Sequence, residues 1–101
     1  MVGAATRPTL QELRAHRDQI LRLAEARGAH DVRVFGSVAR GDAGPSSDVD
    51  FLVTLDAART LFDLSGLILD LEDVLDRKVD VVEITASSPV AERIRREAVP
   101  L

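Results

Sequence analysis

Cysteine, tyrosine and tryptophan are absent from the 101 residues, which hold only three phenylalanines. Without cysteine there is no disulfide, no thiolate metal site and no thiol nucleophile. So few aromatics leave no stacking platform for single-stranded nucleic acid. Positive charge is short as well: 13 Lys and Arg stand against 17 Asp and Glu, for a formal net charge of −4 and a pI of about 5.1. That balance argues against a broad electrostatic surface for DNA or RNA, and no direct nucleic-acid binding is expected. No signal-peptide pattern and no membrane-length apolar run occurs, so a cytoplasmic protein is the expectation, with no membrane contact. Any phosphate binding should be local, metal-assisted and directed at a small nucleotide.

What the chain does have is a composition that is 46% hydrophobic, enough for one compact core, and residues 1–101 read as a single domain with 1–8 as a flexible N-terminus. Thr9 followed by Glu12 is a capping-box pattern, and Leu10, Leu13, Ile20, Leu21 and Ala24 recur at helical spacing up to Arg27-Gly28, which predicts one helix over about 10–27. Asp31 to Phe35 and Val49 to Leu55 read as strands, the second nearly all apolar. Thr60 with Asp63 opens a second helix whose apolar stripe runs from Leu61 through Leu75. Val79 to Ile84 gives a third strand, and Ser88-Pro89 starts a last helix reaching about Ala98. The expected class is α/β (α+β), in the order α-β-β-α-β-α, with a small mixed sheet covered mainly on one face by helices.

One segment concentrates polar chemistry between two of these strands. Phe35-Gly36-Ser37 ends the first, a loop of ten residues follows, and Asp48-Val49-Asp50 opens the second. Side chains two apart on a strand share a face at roughly 6.5 Å, so Asp48 and Asp50 converge while Val49 turns inward. Two carboxylates at the mouth of an apolar strand repel each other unless cations lie between them and a polyphosphate. Mg²⁺ suits such ligands, with Mn²⁺ the alternative ion, and ATP or another nucleoside triphosphate is the matching substrate. Asp80 lies about 5 Å across the ladder if its strand pairs beside the second. The three acids would then hold two ions roughly 4 Å apart, with Asp48 and Asp50 bridging both and Asp80 serving the nucleophile's ion. Gly36 lets backbone N–H groups approach a phosphate, Ser37 adds a hydroxyl where a short helical turn begins, Arg40 extends a permanent cation, and Ser47 completes the nucleotide-binding set. Asp42 reads as a turn cap, His16 and His30 as surface residues, and Arg93, Arg95 and Arg96 as the solvated face of the last helix.

At these residues the chain closely resembles the minimal nucleotidyltransferase (MNT) family of the DNA polymerase β-like superfamily. The likeness is carried by residues 36–43, 47–53 and 77–82, which hold the Gly-Ser, the Asp-x-Asp and the later Asp, and by the ending 94–101. It extends over about residues 10–101 and implies a mixed sheet, two divalent metals on Asp48, Asp50 and Asp80, and transfer of a nucleoside monophosphate from NTP to a hydroxyl with loss of pyrophosphate. Many small members resemble antitoxins encoded beside a helical HEPN-domain toxin, whose tyrosine they adenylylate. A HEPN toxin is therefore the expected partner, and it would bring the acceptor that so short a chain has little room to hold. The alternatives are a transferase for a small aminoglycoside-like compound, with a pocket made by homodimerisation, and a catalytically silent antitoxin that only binds. Two departures from the family are Asp76, where relatives often end a helix with Gly, and an ending where some relatives continue into a further strand.

Overall fold

A computed structural model describes residues 6–101. Of the expected flexible N-terminus, residues 1–5 lie outside the described residues. Thr6 offers its carbonyl to the Arg77 guanidinium, and Pro8 is buried.

Thr9 caps α1 (Leu10–Ala15), its hydroxyl accepting from the Glu12 backbone N–H at 3.1 Å. The single helix expected over 10–27 is two: α1 stops at His16, and α2 runs from Arg17 to Ala26. Neither proline nor glycine causes the break. The His16 N–H bonds the Leu13 carbonyl at 3.0 Å, an i→i−3 closure, and Arg14 reaches across the fold to the Pro100 and Leu101 carbonyls at 3.0 and 3.3 Å. α1 is thereby tied to the far end of the chain, a constraint that helical periodicity does not record.

β1 spans Ala29–Phe35, two residues earlier than expected, and carries an irregularity between His30 and Arg33 where Asp31 takes a φ of +52°. α3 (Gly36–Arg40) follows at once, and β2 is Val49–Leu55. The expected capping box at α4 (Leu61–Leu75) is complete: the Thr60 hydroxyl accepts from the Phe62 N–H at 3.2 Å, and Asp63 accepts from the Thr60 N–H at 3.1 Å. Asp76 ends that helix in the left-handed region with φ +52°, a conformation glycine adopts most readily. β3 covers Val79–Glu83, α5 Pro89–Glu97 and β4 Val99–Pro100. β4 is absent from the sequence-based order, because two residues that include a proline give no strand periodicity.

The sheet order is β3-β2-β1-β4, with β2 and β3 parallel and the other pairs antiparallel, so the sheet is mixed as expected. α4 is the crossover that a parallel pair requires. Val34, Val49, Phe51, Val53, Val79 and Val81 turn one sheet face onto Leu13, Ile20, Ala24, Leu67, Leu71 and Leu75 of α1, α2 and α4, and these residues form the core. Phe35 and Asp50, paired across β1 and β2, alternate with Val34, Val49 and Phe51 and so face the other way. There α5 covers only the β1 side. The Asp50 and Asp80 end of that face stays open.

Candidate active site

The chemistry-bearing residues meet at one end of the sheet because of strand register. Asp50 and Asp80 face each other on one rung of the parallel β2–β3 ladder, and Asp48 lies two residues before Asp50. Asp50 is half-buried, whereas Asp48 and Asp80 are exposed. Burial pushes the Asp50 carboxyl above its ordinary value of 3.8, and the negative charges of Asp80 and then Asp48 push it further; Arg40 pulls it down. The site thus carries a local excess of negative charge.

That excess tests whether a divalent cation belongs here, and the donor set fits one. Three carboxylates are hard oxygen ligands, and they sit where their mutual repulsion has little else to relieve it. Among the described residues, however, no three acidic or histidine side chains are gathered closely enough to cage an ion unaided. The backbone brings Asp48, Asp50 and Asp80 to one edge, but the full convergence expected of their side chains is not preformed. An Mg²⁺ bound together with a nucleotide needs only one or two carboxylates besides phosphate oxygens and water.

Gly36 has a more specific reason to be glycine than room for a phosphate. Its φ is +75°, and a methyl group on its α-carbon would overlap Oδ2 of Asp50. The loop backbone therefore rests against the carboxylate itself. The Ser37 carbonyl accepts from the Gly41 and Asp42 N–H groups, both at 3.0 Å, and closes the turn behind it. Ser47, expected near the nucleotide, accepts from the Gly44 N–H at 2.8 Å and so also closes its own loop.

Arg40 projects from α3 into two ion pairs, Nε to Asp42 at 3.3 Å and Nη1 to Glu97 at 3.2 Å. The Asp42 hydrogen bond and charge, with Glu97 behind them, raise its pKa further, so its charge is permanent. His30 pairs with Asp56 at 3.2 Å, remote from the carboxylates in the ladder. Glu97, Val90 and Ile94 escape the sequence reading. With Phe35, Gly36, Arg40 and Arg93 they line a concavity of about 250 Å³ beside the Gly36-Ser37 turn. The signal for it is faint: apolar Val90 and Ile94 at i,i+4 on an otherwise charged helix.

This arrangement has known counterparts. The family model described as a nucleotidyltransferase domain matches residues 13–101. The chain belongs to the nucleotidyltransferase domain family. Protein adenylyltransferase MntA of Thermococcus cleftensis is 36% identical over 96 residues, spanning 90% of this chain and 94% of that protein. A solved structure of a candidate minimal nucleotidyltransferase is 46% identical, with a TM-score of 0.82 over 93% of this chain and 97% of that one. The fold also resembles that of a toxin–antitoxin assembly solved with AMP-PNP, at TM-score 0.69 and 22% identity over 82% of this chain and 69% of that one. In this nucleotidyltransferase the Gly-Ser turn, the Asp-x-Asp and the later Asp lie at one end of the sheet, and a nucleoside triphosphate is its substrate. Among the described residues no helix is long and apolar enough to cross a membrane.

Proposed function

We propose that this nucleotidyltransferase moves the AMP unit of ATP onto a tyrosine hydroxyl of a HEPN-domain toxin and thereby acts as its antitoxin. The observation that carries the reading is Asp50 paired with Asp80 across the β2–β3 ladder, with Gly36 against the Asp50 carboxylate at the open end of the sheet. The name of the MntA relative, a protein adenylyltransferase, and the fold shared with a toxin–antitoxin assembly support a toxin protein as the acceptor.

The acceptor oxygen attacks the α-phosphorus, a new O–P bond forms, and the bond to the bridging oxygen breaks to release pyrophosphate. Asp48, Asp50 and Asp80 would hold divalent cations, Mg²⁺ first, whose chemistry there is to neutralise the triphosphate and acidify the attacking hydroxyl. Asp80, exposed at the ladder's edge, receives the hydroxyl proton. Gly36 and Ser37 offer backbone and hydroxyl donors to the phosphates, Arg40 adds a fixed positive charge, and Ser47 keeps the loop folded over the nucleotide.

Incubating the purified chain with Mg²⁺, labelled ATP and the HEPN protein encoded beside it tests the proposal. The expected result is a toxin heavier by one AMP unit, with the label on tyrosine. Label on an aminoglycoside and none on the toxin would replace it with the small-molecule reading. A double Asp48→Asn, Asp50→Asn chain that still protects cells would replace it with simple binding.

A further inference from the structure

The concavity between α3 and α5 holds a second arginine that neither the motif nor the reading above uses. Arg93 donates through Nε to Glu97 Oε2 at 3.3 Å, while Arg40 donates to Oε1 of the same carboxylate at 3.2 Å. One glutamate thus yokes a guanidinium from α5 to one from the phosphate loop, and both line the hollow whose floor includes Gly36.

We propose that Arg93 is a second phosphate-binding guanidinium, and that this hollow seats the β- and γ-phosphates of the nucleotide and the pyrophosphate they become. The inference rests on the nucleotidyl-transfer reading and extends it to α5. Charge favours it. The triphosphate must lie beside three aspartates in a protein of net charge −4, and the ionisable residues lining the hollow, Arg40, Arg93 and Glu97, sum to one positive charge. A guanidinium has five N–H donors, of which Glu97 takes one from Arg93, so Arg93 keeps donors for phosphate oxygens. Phe35, Val90 and Ile94 supply the apolar walls of the hollow beside these charges. The bland alternative is an exposed i,i+4 ion pair on a solvated helix. That pair would not need Arg40 on the same carboxylate, nor a hollow reaching Gly36.

Calorimetric titration of ATP, AMP and pyrophosphate, each with Mg²⁺, into wild type, Arg93→Ala and Arg93→Lys tests it. Arg93→Ala should weaken ATP and pyrophosphate about tenfold and leave AMP unchanged, with Arg93→Lys recovering part of the loss. Equal weakening of ATP and AMP would make Arg93 a structural support and overturn the inference. Wild-type binding of ATP and pyrophosphate with no change in Arg93→Ala would overturn it while leaving nucleotidyl transfer intact. A wild type that binds neither would overturn both. The Arg93 side chain is 71% exposed, so its replacement leaves the core untouched.

Discussion

β1 is bracketed by two glycines in the same left-handed conformation, Gly28 with φ +73° and Gly36 with φ +75°, and they serve different purposes. At Gly28 the space a side chain would fill is taken by Arg59, whose flexible stem folds over the helix–strand junction. At Gly36 it is taken by the Asp50 carboxylate. The first contact is packing around a turn, tightened by the Asp56 N–H donating to the Gly28 carbonyl at 2.8 Å. The second presses the Gly36-Ser37 turn against a carboxyl group of the candidate site. One backbone device therefore serves stability at one end of the strand and chemistry at the other.

The largest test of this contrast removes the charge at each end. Asp50→Asn should lower AMP transfer by about a thousandfold or more, since a cation ligand is lost, while the melting temperature holds or rises because a half-buried, repelled charge has gone. Arg59→Ala should do the reverse, with transfer per folded molecule unchanged and a modest fall in melting temperature. Parallel transfer assays and thermal melts read both. Equal losses of transfer in the two variants would erase the distinction.

A narrower test changes the glycines themselves. Alanine at either position costs about 1–2 kcal/mol for its left-handed backbone, so both variants should melt earlier. Gly36→Ala should also displace Asp50 and cut transfer on the order of tenfold to a hundredfold, because misplacing a reacting group is costly. Gly28→Ala displaces only Arg59 and should keep full transfer once folded.

Smaller still is the pH signature of Asp50. Its folded pKa lies above its unfolded value, so the stability linked to it is complete below 3.8 and is lost as pH climbs through the raised folded value. The wild-type stability curve should therefore fall relative to Asp50→Asn across that window and run parallel to it above. At neutral pH, added Mg²⁺ should raise the wild-type melting temperature more than that of Asp50→Asn. Identical shifts in both proteins would mean that Asp50 holds no cation.

The contrast also explains what a reader of the sequence sees and misses. α4 and β2 were legible because their evidence is local: the Thr60/Asp63 box, the apolar stripe and an unbroken apolar run. Asp50 facing Asp80 followed from assuming that the two strands pair, and they do, in parallel. The break at His16, the short β4 and the Glu97 bridge to Arg40 depend on partners tens of residues away, and nothing local announces them. The sequence marks Gly36 as a glycine suited to a phosphate, but its contact with Asp50 is a tertiary fact. The three aspartate side chains were expected to gather. The register brings Asp50 and Asp80 to one end of the sheet, whereas the gathering of all three side chains depends on rotamers, which the sequence pattern does not fix.

The smallest effect sharpens the Gly28 end alone. Thr60 caps α4, and Asp63, its capping-box partner, also accepts from Arg59 Nη1 at 3.3 Å, so cap, arginine and glycine form one linked junction. Thr60→Ala should cost about 1 kcal/mol and leave transfer per folded molecule unchanged, because α4 meets the site only through the far end that feeds β3. Its cost should not add fully to that of Arg59→Ala: losing either member loosens Asp63, so the double variant should fall short of the sum. The same cycle pairing Thr60→Ala with Gly36→Ala should be additive. Those residues share no partner, and the length of β1 separates the Gly28 end from the Gly36 end. Denaturant melts of the four variants in each cycle decide it, and coupling in the second cycle would show that the two glycines belong to one mechanical unit.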